Sequence, residues 1–232
     1  FPVSGIGFVR AKSSTGGGEI GFVRAKSARD GFGAGVSTGF AGTAGSGFPS
    51  ATTGVERLQS AADLDRSFFA LQASDFGRAF DLNFTGTLLP CQRLTADMVE
   101  RKSGVIINVI GVAGERLRQD YIAGGTGNAA LMAFTKNLGG DSVDHGVRVV
   151  GVNPGPIMTD RFMNGLYWRA EKRFGDRNRW QEILTRDIPV GCAGTPEEVA
   201  HAVAVLASDL SSYTSGVVFT IDGGLVSRGA LP

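Results

Sequence analysis

Cysteine, histidine and long apolar runs are scarce in this chain of 232 residues. Its two cysteines, Cys91 and Cys192, lie far apart and match no metal-ligand spacing, which is typical of buried thiols in a reducing compartment. The two histidines, His145 and His201, have no ligand or triad partner nearby in sequence and are expected at the surface. No apolar run approaches the roughly 18 residues of a membrane span, and the start lacks the layout of a secretory signal. We expect a cytoplasmic protein without a metal.

An excess of charge is also missing. Lysine and arginine number 23 against 22 aspartates and glutamates, so that the net charge is +1, and 42% of the residues are hydrophobic. These values describe an ordinary globular chain and give no indication of a nucleic-acid or membrane partner. Neither kind of partner is therefore expected.

The first 55 residues differ from the rest. Thirteen glycines fall within the first fifty, and the octapeptide IGFVRAKS occurs at 6–13 and again at 20–27. A 14-residue period fits no solenoid repeat. Two interpretations stay open: a duplicated, degenerate or misread start of a nucleotide-binding fold, or a flexible glycine-rich leader. Because the chain also starts at Phe1 without an initiator methionine, we expect the N-terminal part to be incomplete.

From residue 56 to 232 the pattern is that of one α/β domain. Apolar runs at 104–110, 147–153 and 216–222 are short and rich in β-branched residues, which predicts strands buried on both faces. Helical patterns alternate with them, as in a doubly wound parallel sheet. A capping box with proline in the first turn, Thr195-Pro196-Glu197-Glu198, predicts a helix start.

A further helix is predicted from Ser74 or Asp75, either of which can cap it. Its buried stripe has spacings of three and four residues and contains Phe76, Phe80, Thr87, Cys91, Leu94 and Met98. Pro90 predicts a kink near Gly86, whose carbonyl would meet the proline ring. Asn83 lies on the stripe, where an unpaired carboxamide costs about 1–3 kcal/mol. Either a local backbone or water contact or a functional role accounts for it.

Candidate binding residues follow the predicted strands, because ligands of open parallel sheets bind at the carboxyl ends of the strands. After 147–153 comes the turn Pro154-Gly155-Pro156, which is either a tight strand exit or a surface for a flat ring, with Thr159 able to bond a carboxamide or phosphate. Near the N-terminus, Gly16, Gly18 and Gly21 satisfy G-x-G-x-x-G after Thr15, the pattern of a pyrophosphate loop. In so glycine-rich a segment, a chance match is the alternative.

Residues 159–190 are long, polar and rich in arginine and aromatic residues. Insertions after a strand often form a lid over a site, and arginines in a lid would favour an acidic substrate. The alternative is that the charges are the solvated faces of amphipathic helices with the aromatic side chains packed beneath them.

Taken together, the motifs resemble the short-chain dehydrogenase/reductase family over residues 75–230. The matching stretches are DLNFTGTLLPCQ (81–92), GVIINVIGVAG (104–114), GNAALMAFTK (127–136), GVRVVGVNPGPIMT (146–159), GTPEEVAHAVAVLASDLSSYTSG (194–216) and IDGG (221–224). The resemblance implies a Rossmann-like fold, NAD or NADP as cofactor, and a homo-oligomer, tetramer or dimer, built on the long helices.

The resemblance places the family's catalytic serine, tyrosine and lysine at Gly111, Gly124 and Asn128. None of these can act as a phenol whose pKa a neighbouring ammonium lowers. Tyr121 precedes Gly124 by one helical turn and is the available substitute acid, while Asn83 matches the asparagine that holds a water in the family's proton relay.

We therefore predict an NAD(P)-dependent oxidoreductase that acts on a small-molecule substrate, a carbonyl or alcohol. The alternative is a catalytically impaired nucleotide-binding or scaffolding homologue. The catalytic candidates are Asn83 and Tyr121. The predicted cofactor-binding residues are Thr15, Gly16, Gly18, Gly21, Ile110, Asn128, Pro154, Gly155, Ile157 and Thr159.

Overall fold

The computed structural model describes residues 68–118 and 121–228, together with the backbone of a short strand at 20–23. Four strands form one parallel sheet in the order β1-β2-β3-β4. They are β1 (Ile20–Val23), β2 (Gly104–Val109), β3 (Val147–Pro154) and β4 (Val218–Ile221). The α-helices of the described ranges are α1 (Ala73–Phe80), α2 (Gly86–Glu100), α3 (Ile122–Asp141), α4 (Asp160–Phe174), α5 (Trp180–Asp187) and α6 (Pro196–Ala207).

Helices cover both faces of the sheet, because successive side chains of a strand point to opposite faces. On one face, Ile107, Val150 and Val152 pack against α6. On the other, Ile106 and Val149 pack against α2 and α3. The predicted doubly wound α/β fold is thereby confirmed. In the described ranges, no helix combines the length and apolar content that a membrane span requires.

The strand at the far end of the sheet differs from its prediction. β4 was expected to be buried on both faces, and this is wrong, since Phe219 and Thr220 are exposed. The physical reason is its place in the sheet: β4 pairs only with β3 among the described strands. The predicted starts of β2 at Gly104 and of β3 at Val147 are confirmed.

The helix predicted from Ser74 or Asp75 to Met98 is divided. It begins earlier than expected, at Ala73, because the Asp75 carboxylate accepts a hydrogen bond from the N–H of Gln72 at 2.8 Å. A π-helical turn over 81–85 separates α1 from α2, and the N–H of Gly86 donates to the carbonyl of Asp81. The expected irregularity therefore lies just before Gly86, and Pro90 is accommodated inside α2.

The capping box at the start of α6 is confirmed: the Thr195 hydroxyl accepts from Glu198 N at 3.3 Å, and Thr195 N donates to the Glu198 carboxylate at 2.7 Å. Both histidines are exposed, as predicted. The expectation of two buried thiols is wrong in one case. Cys91 is buried between α2 and the sheet, whereas Cys192 lies exposed in the segment between α5 and α6.

Thiol reactivity should separate the two cysteines. Burial raises the pKa of the Cys91 thiol from 9.0 to about 12, so the folded protein holds this proton until well above neutral pH. At pH 8 we expect a disulfide reagent to modify one thiol in the native state and two after denaturation. The stability linked to the protonated thiol is complete below pH 9 and is lost as the pH rises toward about 12.

A Cys192→Ser variant is the matched control. It should show no reactive thiol in the native protein and one in denaturant. Equal native reaction rates for both cysteines would contradict the burial of Cys91.

Candidate functional site

The carboxyl ends of β2, β3 and β4 meet at one edge of the sheet, because all three strands are parallel. Ligands of open α/β sheets bind at this edge. The chain leaves β2 through Ile110 and Gly111, and leaves β3 through the turn that ends at Thr159. Ile110 is half-buried and continues the pairing with β3, since its N–H donates to the carbonyl of Val152 at 2.8 Å.

Two carboxamides hold the peptide groups of Gly111. The Gly111 N–H donates to Asn153 Oδ1 at 3.2 Å, and Asn128 Nδ2 donates to the Gly111 carbonyl, also at 3.2 Å. Asn153 is fully buried and Asn128 is only 9% exposed. Buried amides that bond one residue from both sides fix its conformation. In the described ranges the Asn128 Oδ1 makes no hydrogen bond, so it can accept one from a ligand.

Gly111 itself has φ of +128°, a region that side-chain-bearing residues rarely adopt. A Cβ at this position would also lie 3.3 Å from Asn128 Nδ2. This backbone conformation therefore favours glycine, and a serine at this position would be strained.

The turn after β3 is fastened on one side and open on the other. Gly194 N donates to Pro156 O at 2.9 Å and Met158 N donates to Gly194 O at 2.8 Å, so Ile157 forms an isolated parallel bridge with Gly194. This pattern turns the N–H and C=O of Ile157 away from Gly194. Within 68–118 and 121–228, neither group makes a hydrogen bond, which leaves one donor and one acceptor side by side.

Two neighbours of Ile157 complete the turn. Thr159 caps α4, since its hydroxyl oxygen accepts from Phe162 N at 3.3 Å, and its hydroxyl proton stays available as a donor. Gly155 lies tightly on the chain after β4: its N–H donates to Ile221 O at 2.9 Å, and a Cβ there would lie 2.7 Å from Asp222 Cβ. Asp222 in turn accepts from the N–H groups of Gly224 and Val226.

Asn83 and Tyr121 lie where α1, the π-helical turn and the front of α3 meet. Asn83 is half-buried in the π-helical turn, and its carboxamide faces Gly127, whose Cβ would be 3.7 Å from Nδ2. The half-buried Tyr121 immediately precedes α3 and packs on the cluster formed by Ala79 and Ala123. Within the described part of the chain, neither polar group has a hydrogen-bonding partner.

The segment between β2 and α3 also reaches across the sheet. Thr220 donates to the Glu115 carboxylate at 3.1 Å, and the Arg116 guanidinium donates to Leu225 O at 3.1 Å. These two contacts tie the loop after β2 to the chain around β4. Asp222, which directly follows β4, and Glu115 bring two carboxylates to the same edge as the uncharged side chains of Asn128, Asn153 and Thr159.

The predicted lid consists of α4 and α5 with an apolar core of its own, formed by Leu166, Ala170, Ile183, Leu184 and Ile188. Several of its basic side chains form ion pairs or ring contacts at the surface. Arg169 and Arg173 pair with Asp187, and Arg177 lies 4.8 Å from the Tyr167 ring centroid. This arrangement favours the interpretation as amphipathic helices over an arginine-lined pocket, while closure over a site stays a prediction.

Of the predicted N-terminal site residues, Gly21 is the one that the structure describes. Thr15, Gly16 and Gly18 lie outside the described residues. Gly21 belongs to β1, in register with Ile106, and the prediction that it closes a pyrophosphate loop is corrected accordingly. The reason is that residues 20–23, the IGFV of the second octapeptide, pair with β2 as a strand. Sequence reasoning missed Asn153, although an asparagine inside an apolar strand needs a partner in the same way as Asn83.

Comparison with known proteins adds to this geometry. Residues 54–226 match the family model described as Enoyl-(Acyl carrier protein) reductase. Cyclohexanol dehydrogenase of Rhodococcus sp. (strain TK6) is 37% identical over 145 residues, which are 62% of this chain and 50% of that protein. The 3-oxoacyl-(acyl-carrier-protein) reductase FabG of Aquifex aeolicus (strain VF5) is 32% identical over 161 residues, 69% of this chain and 60% of that protein. The chain thus spans 50–60% of the length of these relatives.

Among solved structures, L-sorbose reductase from Gluconobacter frateurii, complexed with NADPH and L-sorbose, superimposes with a TM-score of 0.66 at 22% sequence identity. The match covers 71% of this chain and 63% of that one. At this level of identity the likeness concerns the fold.

Proposed function

This chain belongs to the short-chain dehydrogenase/reductase family, and from that premise we propose that it is an NAD(P)-dependent oxidoreductase acting on a carbonyl or alcohol. The proposal rests above all on Ile157, whose N–H and C=O make no hydrogen bond to the described residues and lie at the carboxyl edge of the sheet. A primary carboxamide, such as that of nicotinamide, offers the complementary acceptor and donor. The residues present therefore fit the coenzyme's nicotinamide half.

The turn after β3 and Asn128 would contact the coenzyme. Ile157 and Thr159 would hold the carboxamide, and Pro154 and Gly155 would let a flat ring approach the backbone. The Asn128 Oδ1 would accept a hydrogen bond from a ribose hydroxyl. When bound, the coenzyme supplies or accepts the hydride. In the reductive direction, the Tyr121 hydroxyl would give its proton to the oxygen that forms the alcohol, and a water held by Asn83 would return one.

The protein groups in this scheme are carboxamides, hydroxyls and peptide groups rather than charged side chains. The nearby carboxamides and hydroxyls are neutral donors and acceptors, and the buried clamp around Gly111 keeps the end of β2 in place. Orientation is then the main contribution of the protein, and it supplies a large share of many enzymatic rate enhancements. We propose the cytoplasm as location, on the strength of the two free cysteines, and a homo-oligomer, tetramer or dimer, as assembly, on the strength of the family.

Coenzyme binding by the turn after β3 gives the direct test. Gly155→Ala should weaken the binding of NADH and NADPH about ten-fold or more, because the added methyl group would meet the backbone at Asp222 and displace the turn. Isothermal titration calorimetry measures the dissociation constants, and a panel of ketones and acyl thioesters tests turnover with both coenzymes.

Gly77→Ala is the matched control, since nothing lies within 4 Å of a Cβ at that position in α1. It should bind both coenzymes as the natural chain does. Failure of the natural chain to bind either coenzyme would refute the proposal. Binding without turnover of any substrate would indicate a nucleotide-binding module without catalysis.

A further inference from the structure

The tyrosine that precedes α3 lies across the backbone of the helix's first turn. A Cβ at Gly124 would be 2.5 Å from the Tyr121 hydroxyl oxygen and closer still to Cζ and Cε1. Non-bonded heavy atoms are most stable about 3.5–4.0 Å apart. The hydroxyl end of the ring therefore occupies the space that a side chain at residue 124 would fill.

The ring also packs on apolar neighbours. Tyr121 packs with Leu71 and Phe76 on the cluster of Ala79 and Ala123, both of which are fully buried. The phenol is thus enclosed between α1 and α3 along its apolar body. Its hydroxyl makes no hydrogen bond to the residues that the structure describes, so it is free to donate to a ligand.

Two further carboxamides lie on or beside this part of α3. Gly124 and Asn128 are four residues apart and share a helix face, and the Asn83 carboxamide lies opposite Gly127. When the phenol lies over Gly124, its hydroxyl is directed to this polar side of the helix. If a side chain at residue 124 displaced the ring, the ring would point away from α3.

We propose that Gly124 is a positioning residue, which keeps open the space where the Tyr121 phenol lies against α3 and so directs the hydroxyl to the substrate. The assignment rests on the proposed function. It also explains a glycine within a helix, where alanine would be about 1 kcal/mol more favourable. The added methyl group of alanine would favour the helix and at the same time exclude the ring.

The test uses Gly124→Ala, Tyr121→Phe and the double variant, with Gly140→Ala as control, because nothing lies within 4 Å of a Cβ at Gly140 in the same helix. The ring is followed by fluorine NMR of protein containing 3-fluorotyrosine. The chain has three tyrosines, and Tyr121→Phe assigns the relevant resonance. Turnover and coenzyme affinity are measured on the same samples.

In Gly124→Ala we expect the Tyr121 resonance to move and to become accessible to a dissolved paramagnetic agent, while the other two stay unchanged. The value of kcat should fall about 10²-fold, as misplacement of a reacting group implies, with KM for the coenzyme unchanged. In the Tyr121→Phe background the same substitution should cause no further loss. Gly140→Ala should behave as the natural chain.

An unmoved Tyr121 resonance in Gly124→Ala would overturn the proposal, and so would a loss of kcat that adds to that of Tyr121→Phe. The NMR measurement requires no substrate. A chain that turns over no carbonyl would therefore refute the proposed function, while the ring position would still decide whether Gly124 positions Tyr121.

Discussion

Tyr121→Phe should lower kcat for carbonyl reduction about 10²–10⁴-fold, the usual contribution of a positioned general acid, and leave the dissociation constant of the coenzyme within two-fold. The substitution removes only the hydroxyl, and the ring keeps its packing against the cluster of Ala79 and Ala123. The folded state should consequently be as stable as that of the natural chain. Steady-state kinetics with a substrate identified from the ketone and thioester panel measures the effect.

Tyr213→Phe provides the control, because Tyr213 is fully exposed near the start of β4. It should change neither kcat nor KM. A Tyr121→Phe variant with natural kcat would show that the proton comes from another source, such as water held by Asn83.

Gly139→Ala should reduce the free energy of unfolding by about 2–3 kcal/mol, in the upper range for overpacked sites. A Cβ there would lie 2.5 Å from Val149 O and 2.6 Å from Gly216 Cα. These backbone atoms cannot yield separately, since Gly216 N donates to Val149 O and the Ser215 hydroxyl donates to Gly139 O. The melting temperature should fall by roughly 2–4 °C for each kcal/mol.

Gly140→Ala, one residue further along α3, separates crowding from helix propensity. Its added methyl group would meet no other atom within 4 Å, so the variant should be as stable as the natural chain or more stable by up to about 1 kcal/mol. Urea unfolding of both variants gives the comparison. Equal stabilities would contradict the close approach of α3 to Val149 and Gly216.

The parts of the fold that were predictable carry strong local signals. β2 and β3 are short, mostly apolar runs rich in β-branched residues, and Thr195 and Glu198 form a reciprocal capping box in the first turn of α6. Such patterns fix an element without knowledge of its neighbours. By contrast, β1 is four residues of a glycine-rich repeat and exists as a strand through its pairing with β2, which no local pattern reveals.

The candidate site divides in the same way. Asn83 and the turn from Pro154 to Thr159 were predictable because polar or turn-forming residues interrupt apolar elements. The position of the Tyr121 ring was not, since it depends on the non-helical backbone of that residue, with φ of −134° and ψ of 35°. Helical spacing alone would separate Tyr121 and Gly124 by one turn. The Tyr121 ring instead lies directly over the glycine.

The front of α3 is also its intrinsically weakest part. Gly124, Gly125 and Gly127 each disfavour the helix by about 1 kcal/mol relative to alanine, and no side chain caps the helix at Tyr121. A ligand that bonds Asn128 binds the helical form of these turns. It therefore shifts the local folding equilibrium toward the helix. By reciprocity, a change that stabilises the helical form of this segment and leaves the neighbouring side chains in place strengthens the binding of the ligand. Affinity and helical order at this end of α3 are thus two measures of one equilibrium.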